Sequence, residues 1–72
     1  MSLEADLAIT SRNVTNVRRV IARQLLRIAR LAELGCSTWD ARENLQAFRS
    51  TLTVLEKHES HLREIKRRTG WA

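Results

Sequence analysis

The stretch "LAELGCSTWD", Leu31 to Asp40, decides the fold. Gly35 suits the left-handed conformation that ends a helix, and Ser37 suits the cap of the next one. Asp40, three residues on, makes a partial capping box and favours the positive end of the new helix. A helix stop and a helix start this close together imply that the chain reverses direction here.

Toward the N-terminus, Leu3, Leu7, Val14, Val17, Ile21, Leu25, Ile28 and Leu31 recur at spacings of three, four or whole turns, which marks one apolar helix face. The Thr, Ser and Asn residues of "TSRNVTN", residues 10–16, lower helix propensity, but Leu7 and Val14 keep register across them. One continuous helix with a frayed first turn is expected. Toward the C-terminus, Ala41, Leu45, Phe48, Leu52, Leu55 and Leu62 carry the same period, and Gly70 offers a terminator before Trp71 and Ala72. The expected organisation is a single domain over residues 1–72, with helix 1 over about 3–34, a turn at 35–37 and helix 2 over about 38–69. Two helices of roughly 45 Å each, joined by so short a turn, must pack antiparallel. The expected fold class is all-α, an antiparallel two-helix hairpin.

Composition points the same way. The absence of proline, the two glycines and the 43% hydrophobic content argue against a turn-rich sheet protein and against a disordered tail. No apolar run approaches the roughly 20 residues that span a bilayer, and "MSLEADLAI" starts acidic, without the features of a signal peptide. The expected location is the cytoplasm, with no membrane partner. The single cysteine, Cys36, closes no loop within a chain and fits a reducing compartment.

A chain of 72 residues buries only about 60% of the surface its unfolded form exposes, so a lone hairpin is marginal. Both apolar stripes are also wider than one contact. Val20, Leu26 and Leu34 flank the seam of helix 1, and Ala47, Val54 and Ile65 flank that of helix 2. Left exposed, such surface invites association. The expected assembly is a homodimer in which two hairpins make a four-helix bundle.

Leu34-Gly35, Thr38, Ala41, Leu45, Phe48, Leu52, His58 and His61-Leu62 resemble a group of small, uncharacterised bacterial proteins predicted to be helical hairpins. The resemblance covers residues 28–65. It implies a bacterial, cytoplasmic hairpin and carries no activity with it.

His58 and His61, three residues apart, could face one metal from a single helix, but bundle metal sites also need carboxylates or histidines from facing helices. In a hairpin turning near Cys36 they lie opposite residues 12–15, which offer no ligand. No metal site is expected. With Ala47, Val54 and Ile65 the two histidines instead form a band beside the seam of helix 2, the expected self-association face. Protonation of the imidazoles in mildly acid solution would place charge at that contact and weaken it.

Residues 7–32 contain six arginines and no acid. Arg12, Arg19, Arg23 and Arg30 fall within about 40° of one another and extend along roughly 27 Å of helix, a layout that could track phosphates. The opposing reading is a solvated face, or ion pairs to Glu56, Glu59 and Glu64 of helix 2. No aromatic residue interleaves the arginines, and no helix-turn-helix pattern is present. A basic helix on a lipid surface is a weaker reading, because its apolar face is needed for the core. Glu59 occupies a seam position one heptad after Leu52 and should meet Arg12, Asn13 or another subunit to fix register. Cys36 sits before a helix start but far from either histidine, which does not make a nucleophilic site.

The expected function is that of a non-enzymatic structural or protein-interaction module that self-associates through its apolar helix faces, with no cofactor or small-molecule substrate. The alternative is RNA or DNA binding through Arg12, Arg19, Arg23 and Arg30.

Overall fold

The computed structural model describes residues 2–69. Two α-helices, α1 (Leu3–Glu33) and α2 (Trp39–Thr69), pack antiparallel along their lengths, and no strand occurs among the described residues. The molecule measures 58 × 17 × 14 Å, one helix pair across, so any side chain off the seam faces outward. Gly70 as a terminator and the tail residue Trp71 lie outside the described residues.

Each helix end is explained locally. The Ser2 side chain accepts a hydrogen bond from the Ala5 amide at 3.0 Å, and Glu4 and Asp6 lie in the first turn beside the positive end of the helix. The expected frayed first turn is in fact capped. Nothing interrupts "TSRNVTN", and α1 is continuous.

At the turn, the Gly35 amide donates to the Ala32 carbonyl at 3.1 Å and the Cys36 amide to the Leu31 carbonyl at 2.9 Å. This pair of bonds is a Schellman motif, and it needs the left-handed backbone that Gly35 supplies at φ 71°. Past the turn the cap differs from expectation by one residue. The helix begins at Trp39, so Thr38 holds the cap position and its carbonyl accepts from the Arg42 amide at 2.9 Å. Ser37 contributes a hydroxyl that accepts from the Trp39 amide at 3.3 Å. At the far end, Lys66, Arg67 and Arg68 complement the negative end of α2.

The seam follows a heptad pattern. Its α1 positions are Leu3, Leu7, Thr10, Val14, Val17, Ile21, Gln24, Ile28 and Leu31, alternately four and three residues apart and all buried or half-buried. On α2, Ala41, Leu45, Phe48, Leu52, Leu55, Glu59 and Leu62 do the same. An alternation averaging 3.5 residues keeps one stripe facing a partner helix along the whole length. Leu25, expected on the seam, is 45% exposed; its neighbour Gln24 takes the inward place, and the Gln24 amide donates to the Ala41 carbonyl at 2.8 Å.

The fully buried apolar core is thin. It consists of Val14, Ala41, Leu45 and Leu62, and Val14 is the last buried residue of α1. The half of α1 nearest the turn is rich in Val, Ile and Leu yet buries none of them completely.

Candidate functional site

The two long edges of the hairpin differ in chemistry. On one edge, Glu4, Ser11 and Arg18 recur every seven residues along α1 and meet α2 side chains running the other way. The Ser11 hydroxyl donates to Glu59 Oε2 at 2.6 Å, Arg63 lies 3.3 Å from the same oxygen, and Arg18 contacts Glu56 at 2.7 Å. Lys66 and Glu4 close the end at 3.6 Å. This edge carries every cross-helix ion pair among the described residues.

Glu59 is therefore satisfied within its own hairpin. Its expected partners across the seam were Arg12, Asn13 or a second subunit; the structure gives it Ser11 there, together with Arg63 one turn on along its own helix, the i, i+4 pair that the spacing also offers. A buried carboxylate with a short charge-assisted hydrogen bond and a guanidinium neighbour is tolerable in a seam, and it fixes which residues face each other. Ser11 and Thr10 carried no apolar signal, and only the strict heptad spacing could have pointed to them.

The opposite edge holds, by the same period, Asn13, Val20, Arg27 and Leu34 of α1 beside Asn44, Thr51, His58 and Ile65 of α2. Ala47, Val54 and His61 lie just outside that row. Four members of the expected self-association band, Ala47, Val54, His58 and His61, are exposed, with Val54 at 66%, while Ile65 is half-buried at the seam margin. The structure brings these five residues onto one side of α2. Among the described residues no cluster of three or more His, Cys, Asp or Glu side chains has metal-binding geometry.

The arginines divide as well. Arg12, Arg19, Arg23 and Arg30 are all exposed on the face of α1 roughly opposite the seam. Among the described residues none of the four has a carboxylate within ion-pair distance, whereas Arg18, Arg63, Lys66, Arg67 and Arg68 each have one. Pairing to Glu56, Glu59 and Glu64 is thus not what this stripe does: Glu56 takes Arg18, Glu59 takes Ser11 and Arg63, and Glu64 takes Arg67 and Arg68.

The remaining features are plain. A depression on α1 lined by Leu26, Arg27, Ala29, Arg30 and Glu33 is walled by that helix alone. Cys36 is an exposed free thiol whose nearest polar contact is the Leu34 carbonyl at 4.0 Å. Among the described residues no helix is long and apolar enough to cross a membrane. Comparison with protein-family models, curated proteins and solved structures found no match.

Proposed function

We propose that this chain is a non-enzymatic interaction module that pairs with a second copy of itself, two hairpins packing through the edge that carries Val20, Ala47, Val54, His58, His61 and Ile65 to make a four-helix bundle. The observation that carries this reading is the half-covered state of α1. After Val14 no residue of that helix is fully buried, although Val17, Val20, Ile21, Ile28 and Leu31 all follow. Apolar area left in water contributes nothing to folding, whereas burial is worth about 25 cal/mol per Å². A chain this small gains the missing burial most economically from another copy.

The edge itself supports the choice of face. Its α2 members Ala47, Thr51, Val54, His58, His61 and Ile65 include no Lys, Arg, Asp or Glu, so covering them strips no fixed charge of water, and the exposed Arg27 in the α1 row beside them can keep its guanidinium in water on its long stem. The stitched edge, with Arg18, Glu56 and Arg63, would incur that cost. The resemblance to small bacterial hairpin proteins supports a bacterial cytoplasm as the module's setting under this reading.

A matched pair of substitutions tests it. Val54→Glu puts a carboxylate in the middle of the proposed contact, and Thr53→Glu adds the same charge at the preceding residue, on the other flank of α2. In sedimentation velocity the first should run as a monomer and the second as wild type. Equal behaviour of the two variants would rule out this face.

A further inference from the structure

The hairpin has a second face besides the proposed self-association edge. Arg12, Arg19, Arg23 and Arg30 lie on the side of α1 turned away from α2, exposed and without carboxylate partners among the described residues, and residues 7–32 supply no acid to neutralise them. The +5 net charge of the chain is therefore not spread evenly. The cations of α2's last turns are paired with Glu4, Glu59 and Glu64, and although Arg27, Arg42, Arg49 and Lys57 also lack a carboxylate partner among the described residues, Arg12, Arg19, Arg23 and Arg30 are the ones that line up along the back of α1. We propose that this stripe binds the phosphate backbone of double-stranded nucleic acid without reading its sequence.

Three observations favour a duplex over other polyanions. The stripe is straight and about 27 Å long at 1.5 Å per residue, and a rigid helix matches a rigid, regularly charged rod better than a flexible chain. Single strands are gripped largely by stacking on aromatic rings, and among the described residues the stripe has none: Trp39 stands on α2 and Phe48 is half-buried in the seam. A lipid surface is gripped by an apolar helix face with cations at its margins. Here the order is inverted, with arginines at the centre of the face, exposed Ile9, Leu26 and Leu34 scattered along its borders, and the main apolar face of α1 occupied by α2.

Arginine is also the side chain best suited to the task, since its planar fork meets two phosphate oxygens at once and its charge does not titrate. Four phosphate contacts give a slope of log affinity against log salt of about −3.6, or roughly a 100-fold loss between 50 and 200 mM salt. The stripe adjoins the proposed self-association edge at Leu34 but shares no residue with the α2 side of that contact.

Fluorescence anisotropy of the full chain with mixed-sequence 20-base-pair DNA and RNA duplexes, at both salt concentrations, tests the proposal. The expected result is binding to either duplex at 50 mM salt, little dependence on base sequence, and the 100-fold weakening at 200 mM. The triple variant R12Q/R19Q/R23Q should lose most of the affinity and flatten the slope to about −0.9. The control triple variant R42Q/R49Q/K57Q, which also lowers the net charge by three, from +5 to +2, should retain most of it. Glutamine keeps helix propensity nearly unchanged at these exposed sites, and circular dichroism checks that both variants fold. Absence of binding at 50 mM salt overturns the proposal. So does equal loss in the two triple variants, and so does binding to anionic phosphatidylserine vesicles without binding to either duplex.

Discussion

Glu59 is the residue on which the pairing of the two helices turns. It stands where the heptad calls for an apolar side chain, and it is held there by the Ser11 hydroxyl at 2.6 Å and Arg63 at 3.3 Å. Removing the donor strands a buried carboxylate, so Ser11→Ala should cost about 1–2 kcal/mol in urea unfolding at fixed protein concentration. Glu59→Leu restores the apolar seam instead and should be neutral or stabilising by about 1 kcal/mol, at the expense of a unique register. A neutral Ser11→Ala would show that Arg63 alone satisfies Glu59. Gly35 is the other decisive residue. A Cβ there would meet nothing within 4 Å, so the whole cost of Gly35→Ala is the strain of φ 71° in a residue with a side chain. About 1 kcal/mol of destabilisation is expected, with an unchanged fold by circular dichroism.

At the scale of the helices, the chain reversal was legible because Gly35 carries its own backbone geometry and the apolar period runs on both sides of it. What the pattern of apolar residues misplaced was the seam's finer course. Leu25 is apolar and one residue from the heptad position, and Gln24 is polar and on it; the geometry of two long helices favours the position over the residue type. Thr10 and Ser11 were passed over for the same reason, since polarity hides a buried site when its partner lies 48 residues away. The cap moved from Ser37 to Thr38 because both residues can fill it and only the first backbone bond, from the Arg42 amide, chooses.

The thin burial of α1 beyond Val14 carries its own expectation. If a second hairpin covers that half, amides from Val17 to Glu33 should exchange with deuterium as slowly as those around Val14 at high protein concentration. On dilution their protection should fall ahead of the rest. Fast exchange of this half at every concentration would mean that no partner covers it.

On the scale of the whole molecule, the sequence carries the argument for the proposed partner more fully than the choice of the face that meets it. Stripe width is a property of single residues and can be read along the chain. Which edge is free depends on where Glu4, Ser11 and Arg18 find their partners, and that follows only from the register of the folded pair. The arginine stripe is similar: its four members were readable, but their lack of partners became visible only once Glu56, Glu59 and Glu64 were seen to be engaged elsewhere. If folding and pairing are coupled, the melting temperature should rise with protein concentration, as for any assembly that stabilises by mass action.

Self-association is the central claim, and the mass in solution tests it directly. Sedimentation equilibrium under reducing conditions, on the wild type and on Cys36→Ser to remove disulfide-linked pairs, should give twice the 8.3 kDa of the single chain for both, with dissociation on dilution. A folded, helical species of 8.3 kDa across the micromolar range would contradict the account.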